Sequence, residues 1–391
     1  MMKRWRILHL TAAVAETSGQ YNEHCLPFLR QRDLSICSFH RPAVDPASEI
    51  ACFDGGGTSL GYLRALRAAL GRGQEYDVIH AHSARAGLLF LLASLFRPRD
   101  LARSVYTVQN SYQNYHWGNR LLLVPILIAY RRVVMCSEAV RESLPGWLRR
   151  LGGSRIRVVQ NAVHVERVTR AVQHCRRSAD GETFVVACVG RVIEIKNPFT
   201  VLDGFARAAE PGWKLRFIGD GALRPDVLAE AESRGVGEHV EVTGLIPRDA
   251  VFEAVGAADL FVSTSRGEGL PVAVLEAMAC GCPVILSDIA PHRELVGDAR
   301  FVPLVDSEDA QGFAREMRRF RAMSVAERAD IGAHCRRHVE DRFGLPVMHA
   351  AYERIYDEVC SGTAPDPGAM VENGSASTVT DPSQARHDRR G

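Results

Sequence analysis

Hydrophobic and polar positions along the chain alternate between two patterns. Short apolar runs rich in Val and Ile are followed by longer stretches with the period of a helix, almost from end to end. This alternation is typical of repeated βα units that build a parallel sheet. In the first half it predicts strands at residues 5–10, 34–39, 77–81, 104–108, 133–136 and 156–159, and helices at residues 20–32, 60–70, 84–96, 118–131 and 139–151.

A second series of the same kind begins at residue 183. It predicts strands at residues 183–189, 214–218, 240–242, 260–263, 283–286 and 301–305, and closing helices at 309–319, 325–342 and 345–360. Two doubly wound α/β domains in series explain this pattern. We place them at residues 1–165 and 183–342, joined by a polar linker at 166–182 and followed by a helix at 343–360. The tail, 361–391, has too few large apolar residues to offset its ordering entropy and is predicted to be disordered.

Composition narrows the class of protein. The 391 residues fit two to three domains, and 46% hydrophobic with 24% charged residues is ordinary globular composition. A formal net charge of +2 gives no overall attraction to nucleic acid, so we expect no nucleic-acid partner. The ten cysteines contain no CxxC pair. This argues against a zinc site and a disulfide framework, and favours thiols in a reducing cytoplasm.

The first residues allow two interpretations. Lys3, Arg4 and Arg6 precede a mostly apolar run, as in a signal peptide. His9 and Thr11 interrupt that run, however, so we prefer a first strand leading into a glycine turn and a helix. Elsewhere no apolar stretch reaches the roughly 18 residues that a membrane span needs.

Two short motifs follow strands of the second half. Gly190 and Arg191 come at the end of one strand, and Lys196 stands just before the next helix. Two cations near a helix N-terminus suit a diphosphate, although a solvated basic turn would have the same sequence. Gly219 and Asp220, followed by a further glycine, allow a sharp turn and close approach of a ligand to the backbone. An ordinary tight turn is the alternative for this second motif.

The segment 265–283, Ser-Arg-Gly-Glu-Gly-Leu-Pro-Val-Ala-Val-Leu-Glu-Ala-Met-Ala-Cys-Gly-Cys-Pro, carries the most specific pattern. Pro271 suits the first turn of a helix and Gly281 its end. Glu268 then lies in the loop before the helix, and Glu276 lies on its second turn, facing the same cleft. The amides of Gly269, Leu270 and Val272, with the helix dipole, would form an anion site.

These residues resemble the E-x7-E signature of family 4 glycosyltransferases, which have the GT-B fold of two Rossmann-like domains facing a cleft. Gly190-Arg191 with Lys196, Gly219-Asp220-Gly221, Val158-Val159-Gln160-Asn161 and Asp77-Val-Ile-His-Ala-His82 occur in the family's usual order, over about residues 5–360. The resemblance implies a nucleotide-sugar donor domain at 183–342, an acceptor domain at 1–165, and a helix at 343–360 that crosses back onto the acceptor domain.

The resemblance also implies roles for single residues in a retaining, metal-independent transfer. Arg191 and Lys196 would neutralise the leaving diphosphate, Glu268 would hold the donor sugar, and Glu276 the ribose. The donor-binding residues would further include Gly19, Gly190, Gly219, Asp220, Leu245, Gly269, Leu270, Pro271 and Val272. The backbone near residues 244–247 would select the base. No metal or other cofactor is expected, and a UDP-sugar is favoured over a GDP-sugar as co-substrate.

The first half departs from the family pattern at three points. The glycine-rich first loop is reduced to Thr17-Ser18-Gly19-Gln20, Gln109 stands where many members have a histidine, and Asn161 is followed by Ala162 instead of Gly. Gln109 can hydrogen-bond with a sugar but cannot carry a proton. His82 is a further candidate for a sugar or acceptor contact, and a purely structural role is its alternative.

A possible lipid surface is the last feature. Seven arginines alternate with apolar residues between 121 and 157: Arg131, Arg132, Arg141, Arg149, Arg150, Arg155 and Arg157, with residues 122–130, Leu144, Trp147 and Leu148. This pattern fits an interface with anionic lipid, and equally buried faces flanked by solvated charge.

The sequence therefore predicts a cytoplasmic hexosyltransferase of polysaccharide or exopolysaccharide biosynthesis, and peripheral association with the inner face of the membrane stays open as one of the two interpretations of the arginine-rich segment. It would move a hexose or N-acetylhexosamine to a glycan acceptor, which we expect to be lipid-linked. Two alternatives stay open, a nucleotide-sugar 2-epimerase of the same fold and a catalytically silent nucleotide-sugar binding protein. The epimerase is disfavoured because the first turn of the acceptor domain offers only Glu16 and Glu23 as acid and base.

Overall fold

The computed structural model describes residues 5–16, 18–29, 32–71, 75–173, 175 and 183–362. These residues form two parallel sheets with helices on both faces. Burial on both sides explains why the strands are near-continuous apolar runs in the sequence. The architecture is that of two Rossmann-like domains, as the sequence predicts.

The first sheet has seven parallel strands in the order β3-β2-β1-β4-β5-β6-β7. They are β1 (Arg6–Thr11), β2 (Asp33–Ser38), β3 (Ala51–Asp54), β4 (Val78–Ala81), β5 (Ser104–Val108), β6 (Arg132–Met135) and β7 (Ile156–Val158). Its α-helices are α1 (Ser59–Gly71), α2 (Ala84–Ala93), α3 (Pro98–Ala102), α4 (Trp117–Ala129), α5 (Glu138–Ser143), α6 (Gly146–Gly152) and α7 (Val165–Val172). In the centre of the sheet, Leu8 pairs with Ser35 on one side and Ile79 on the other.

The second sheet has six parallel strands in the order β10-β9-β8-β11-β12-β13. They are β8 (Phe184–Val189), β9 (Trp213–Ile218), β10 (Val240–Val242), β11 (Leu260–Ser263), β12 (Val284–Ser287) and β13 (Leu304–Val305). The helices are α8 (Pro198–Ala208), α9 (Arg224–Ser233), α10 (Arg248–Gly256), α11 (Val272–Ala279), α12 (Ala290–Val296), α13 (Ala310–Ala322), α14 (Val325–Phe343) and α15 (Leu345–Ser361).

The last helix, α15, packs on the first sheet. Its apolar side chains, among them Met348 and Ile355, belong to one buried cluster with Ile7 and Ile36 of the first domain. The hydroxyl of Tyr352 also hydrogen-bonds with that of Thr107 on β5, 3.0 Å away. Helix α15, which follows the second sheet in the sequence, therefore contributes to the core of the first domain.

Strand order reverses between β1 and β4 in the first sheet and between β8 and β11 in the second. In open parallel sheets ligands bind at such points, beyond the carboxyl ends of the strands. The residues after β8 are Gly190 and Arg191, and those after β11 lead to Glu268. Two of the sequence motifs therefore flank the reversal point of the second sheet.

The structure corrects five expectations. Strand β3 was not predicted, because it is a short edge strand whose central side chains are only half-buried. The helix expected at 20–32 is a π-helix, Gln20–Cys25, continued by a 3₁₀ turn, Leu26–Phe28, that contains Pro27. The helix expected at 139–151 is two helices, α5 and α6, separated at Pro145, which cannot continue a helix. These three differences are local and leave the sheet order unchanged.

The other two corrections concern segments that we expected to be irregular. The predicted linker begins as a helix, α7, whose Val168 is buried, while residues 174 and 176–182 lie outside the described residues. Ser361, assigned to the tail, is the last residue of α15. The rest of the predicted tail, apart from Gly362, lies outside the described residues.

All ten cysteines lie among the described residues and are thiols. Within the same part of the chain, no helix is both long enough and apolar enough to cross a membrane.

Candidate functional site

A cavity of about 490 Å³ lies at the carboxyl edge of the second sheet. Its lining comes from the turns after β8, β9 and β10 and from two helices: Gly190, Arg191, Gly219, Asp220, Gly244, Leu245, Arg248 and Glu276 belong to it. Six of these eight are residues that the sequence predicts to bind the donor. The structure thus brings together positions that are up to 86 residues apart in the chain.

Two glycines make the close packing of this edge possible. Gly190 and Gly219 have φ values of 145° and 143°, which L side chains rarely adopt. A Cβ on Gly219 would also lie 2.1 Å from the carbonyl oxygen of Gly190. The floor of the cavity is therefore bare backbone, as the sequence motif predicts for close approach of a ligand.

Lys196 and Glu268 form an ion pair beside this cavity. The Lys196 Nζ lies 2.6 Å from Glu268 Oε1, and the same oxygen accepts a hydrogen bond from Ser265 Oγ at 2.7 Å. Arg191 and Lys196 line a smaller hollow together with Ser265. The cations Arg191 and Lys196 thus meet Glu268, the first glutamate of segment 265–283, where β8 and β11 end.

The charge state of Glu268 follows from this pairing. Burial by itself raises the pKa of Glu268, but the ammonium of Lys196 and the hydroxyl of Ser265 outweigh burial and hold that pKa below its usual range. Glu268 is therefore an anion near neutral pH although only 12% of its side chain is exposed. An anionic acceptor of this kind binds sugar hydroxyl groups well.

The loop around Glu268 ends at α11. Pro271 is the N-cap of α11 and precedes its first turn, whereas the sequence suggested a place within that turn. Val272 begins the helix and Gly281, with φ 68°, follows its end. Glu276, on the second turn of this eight-residue helix, lines the cavity, whereas the predicted donor-binding residues Gly269, Leu270, Pro271 and Val272 are not among its lining residues.

The first domain holds this loop by its main chain. Three successive carbonyl oxygens accept hydrogen bonds from the first domain: that of Glu268 from Ser111 Oγ (2.6 Å), that of Gly269 from Ser137 Oγ (2.9 Å) and that of Leu270 from Asn161 Nδ2 (3.0 Å). Both serines are buried. The role of these serines was not predicted, because a serine that donates to a distant backbone has no sequence signature.

The contact of this loop with the first domain also explains why residue 269 is a glycine. A Cβ at this position would lie 2.2 Å from the carbonyl oxygen of Gln109 and 2.9 Å from the Cys136 Sγ. Gln109, which stands where many family 4 members have a histidine, thus meets the loop through its backbone. Only a glycine lets the two domains approach to this distance.

A second contact between the domains involves two carboxyl groups and one guanidinium. Arg248 Nη2, at the start of α10, donates to Glu276 Oε1 and, at 2.9 Å, to Glu23 Oε1 of the first domain. Gly19 lies next to Glu23, since a Cβ on Gly19 would be 3.1 Å from Glu23 Oε2. Gly19 therefore contacts this acidic group and is not among the residues that line the donor cavity.

Burial controls both carboxyl groups of this contact. It raises the pKa of Glu23 to about 8, against the opposing effect of Arg248 and with a further increase from Glu276. Burial also raises the pKa of Glu276, and Arg248 again opposes it. Arg248 was not predicted as a site residue, and Glu23 was named only as a candidate acid or base of the disfavoured epimerase. Nothing in the sequence pairs them, because they are 225 residues apart.

His82 belongs to a buried group of imidazoles. Its Nε2 lies 3.0 Å from the Nδ1 of His9, and the rings of His24 and His80 are 5.0 Å and 4.0 Å away, measured between centroids. Burial lowers the pKa of all four histidines, so they are neutral near pH 7. One nitrogen each of His9, His80 and His82 could approach a metal ion, with these atoms within 4.8 Å of one another. Both nitrogens of His80, however, already bond with Thr107 and Tyr356.

Five of the seven arginines between 131 and 157 divide into two groups, and the other two are half-buried: Arg131 donates to the carbonyl oxygen of Gly362, and Arg141 pairs with Glu138. Arg132 and Arg157 bond with Glu358 of α15, and Leu144 and Leu148 are buried, so this part is an internal contact and not a lipid surface. Arg149, Arg150 and Arg155 are exposed. They lie near Trp147, which is 57% exposed on α6, and Leu121, 61% exposed on the neighbouring α4.

Comparison with known protein families matches both halves of the chain. A family model described as "Glycosyl transferases group 1" matches residues 171–338, and one described as "Glycosyltransferase Family 4" matches residues 28–167. The first match covers the second sheet with its cavity. The second match covers most of the first sheet.

Curated relatives and a solved structure agree with these matches. The lipopolysaccharide core biosynthesis glycosyltransferase LpsE of Rhizobium meliloti is 32% identical over 203 residues, 50% of this chain and 57% of LpsE. The GDP-mannose:cellobiosyl-diphosphopolyprenol alpha-mannosyltransferase of Xanthomonas campestris is 24% identical over 380 residues, 88% of this chain and 97% of that relative. Anabaena HepE, solved in complex with UDP and glucose, superposes with a TM-score of 0.71 at 19% identity, over 91% of this chain and 100% of HepE. The chain thus spans just over half the length of LpsE, and its likeness to HepE is one of fold.

Proposed function

The chain belongs to glycosyltransferase family 4 and has the GT-B fold, and we propose on this basis that it transfers a sugar from a nucleotide donor to a glycan. The sugar is a hexose or an N-acetylhexosamine, and the configuration at its anomeric carbon is retained. The transfer needs no metal ion, because fixed cations take over the neutralisation of the leaving group. The product is part of a polysaccharide or glycolipid.

The observation that carries this proposal is the cavity of about 490 Å³, which is lined by Arg191 and Glu276, with Lys196 in the adjoining hollow that Arg191 also lines. A nucleoside diphosphate placed there would have its phosphates at Arg191 and Lys196 and its ribose at Glu276. Its base would contact the backbone near Leu245, which is 76% exposed and can cover it. Glu268 would accept hydrogen bonds from the sugar.

The chain's own groups suit the bond changes of such a transfer. The bond between the anomeric carbon and the diphosphate oxygen breaks, and its electron pair leaves with the diphosphate. Arg191 and Lys196 stabilise that charge in a site whose donors are already in place, which is how fixed electrostatics lower a barrier. The acceptor hydroxyl oxygen bonds to the anomeric carbon on the same face, and its proton ends on the released diphosphate.

Donor and acceptor classes are suggested by the relatives. HepE is solved with UDP and glucose, which supports a UDP-sugar. The Xanthomonas relative is named for GDP-mannose and for a diphosphopolyprenol acceptor. That name supports a lipid-linked glycan as acceptor, with GDP-sugars as the second donor to be tried.

A lipid-linked acceptor requires the protein to work at a membrane surface. We propose peripheral binding through the exposed side chains Leu121 and Trp147 with Arg149, Arg150 and Arg155, at the cytoplasmic face. A surface that combines exposed apolar side chains with arginines suits binding at the headgroup region of an anionic leaflet.

The experiment is incubation of the purified protein with UDP-glucose, UDP-N-acetylglucosamine and GDP-mannose, followed by separation of nucleotides and sugars. Slow release of free nucleotide from one donor is the expected result. An isomerised nucleotide sugar would instead identify a 2-epimerase. Binding without turnover, detected as a thermal shift, would identify a silent binding protein, and no response to any donor would refute the assignment of the cavity.

A further inference from the structure

Arg248 connects the donor cavity to the first domain through one nitrogen atom. Its Nη2 donates both to Glu276, which lines the cavity, and to Glu23, which belongs to the π-helix of the first domain. The three side chains are 15%, 13% and 7% exposed, in the order Arg248, Glu276, Glu23. Because so little of these side chains is exposed to solvent, the guanidinium that the two carboxyl groups share fixes the positions of both.

We propose that Arg248 is a positioning residue that holds Glu276 in place for the nucleotide, and that Glu23 takes up a proton when a nucleoside diphosphate binds. This inference rests on the proposed function, because it assumes that the cavity receives a nucleoside diphosphate. It goes beyond that function by linking donor binding to a residue of the acceptor domain.

The groups that face Glu23 set the direction of this linkage. Arg248 and Glu276 approach its carboxyl group from α10 and α11, and His349 of α15 donates to its main-chain oxygen. Arg167 of α7 bonds with the neighbouring Asn22, and His24 adjoins Glu23 on its own element. Arg248 Nη2 thus donates to both carboxyl groups. If Glu23 and Glu276 were both ionised, this one guanidinium would face two negative charges.

A nucleoside diphosphate adds negative charge to this site. With its phosphates at Arg191 and Lys196 and its ribose at Glu276, its charge would act on Glu23 with little screening, because the Glu23 side chain is only 7% exposed. This added negative charge favours the uncharged form of Glu23 and acts in the same direction as burial, which already raises the pKa of this group to about 8. By linkage, binding near pH 8 then takes up on the order of half a proton. The nucleotide itself contributes nothing, because its terminal phosphate is fully ionised well below pH 8.

Isothermal titration calorimetry with UDP at pH 8, in two buffers of different ionisation enthalpy, measures this uptake. We expect uptake in the wild type and none in Glu23→Gln, which imitates the protonated form and should bind UDP as tightly as the wild type does at pH 6.5. Glu16→Gln is the matched control, because Glu16 is an exposed carboxylate of the same segment, and it should behave like the wild type. Equal uptake in the wild type and in Glu23→Gln, or no uptake in the wild type, would overturn the inference.

Variants of Arg248 test positioning separately. Arg248→Met should weaken UDP binding about tenfold or more, because it leaves two buried carboxyl groups without their cation. Arg248→Lys should restore part of that affinity, and should be used alone if the Met variant does not fold. Unchanged affinity in both would refute the positioning role. If the wild type binds neither UDP nor GDP, the proposed function itself fails, and calorimetry recognises this by the absence of binding heat in every buffer.

Discussion

At the scale of single residues, the pair Lys196 and Glu268 shows how one contact sets a charge. The ammonium of Lys196 keeps Glu268 ionised in a place where burial opposes charge. An incoming diphosphate would compete with Glu268 for the ammonium of Lys196. An ammonium has three N–H donors, so Lys196 can bond with the diphosphate from the place where Glu268 holds it.

Lys196→Ala should lower donor turnover by about 10²–10³-fold, the usual effect of removing one fixed donor from a developing anion. Free nucleotide released from UDP-glucose measures this loss. Lys214→Ala is the matched control, because Lys214 is an exposed lysine of the same domain, on β9. Wild-type turnover in Lys196→Ala would show that Lys196 takes no part in leaving-group stabilisation.

The stability of the chain should depend on pH through Glu23. An unfolded glutamate loses its proton near pH 4.3, whereas folded Glu23 keeps it to about pH 8. The folded chain thus binds more protons between these values, and this residue's contribution to the free energy of unfolding falls as pH rises through that window.

Glu23→Gln removes this dependence, so its Tm should exceed that of the wild type by an amount that grows from pH 5 to pH 8 and then levels off. Differential scanning calorimetry over this range measures the difference. Glu16→Gln should track the wild type at every pH. A difference that is constant or shrinks with pH would contradict the burial of Glu23 against α10 and α11.

Prediction from sequence works for these residues to different degrees. Glu268, Glu276, Arg191 and Lys196 stand in motifs with characteristic spacing, so the sequence indicates them. Their exact charge states depend on burial, which spacing does not reveal. The contact of Arg248 with Glu23 depends on how two separate domains face each other, and a sequence contains no local pattern for that.

At the scale of elements, α15 ties the two domains together. Its Glu358 bonds with Arg132 of β6 and Arg157 of β7, and Arg132 is only 1% exposed. Burial of a guanidinium is costly unless a carboxylate pairs with it. Through Glu358, α15 therefore provides the carboxylate that pairs with the buried guanidinium of Arg132 in the first sheet.

Glu358→Gln should lower the free energy of unfolding by about 2–3 kcal/mol, less than for a fully buried pair because Glu358 is 26% exposed. Urea denaturation followed by circular dichroism measures the change. Asp357→Asn, the exposed neighbour on the same helix, should change stability far less. Equal effects of the two substitutions would show that the pair with Arg132 contributes nothing specific.

The elements differ in how far the sequence predicts them. Buried strands such as β5 and β11 match their apolar runs residue for residue, because burial on both faces requires such runs. Strand β3 lies at an edge and needs no continuous apolar run, so the pattern does not reveal it. The π-helix at Gln20–Cys25 has the same apolar spacing as an ordinary helix over so short a length, and the i→i+5 hydrogen bonds that define it leave no mark in that spacing.

At the scale of the whole molecule, a net charge of +2 conceals an uneven distribution. The exposed arginines 149, 150 and 155 lie beside exposed apolar side chains of α4 and α6, on the domain that accepts the glycan in our proposal. Salt bridges with Glu358 remove Arg132 and Arg157 from this surface. What remains is smaller than the sequence suggests, and apolar contacts must supply much of the binding.

The protein should therefore sediment with vesicles that contain anionic lipid at low salt, and be released as ionic strength passes about 0.15 M, where the Debye length is about 8 Å. The double variant Leu121→Ser with Trp147→Ser should stay in the supernatant, because it removes two exposed apolar anchors while all arginines remain. Val325→Ser is the control, since Val325 is 41% exposed on the other domain, at the start of α14. Sedimentation of the double variant together with the wild type would show that α4 and α6 are not the contact surface. A wild-type protein that stays in the supernatant at every salt concentration would show that peripheral binding is wrong.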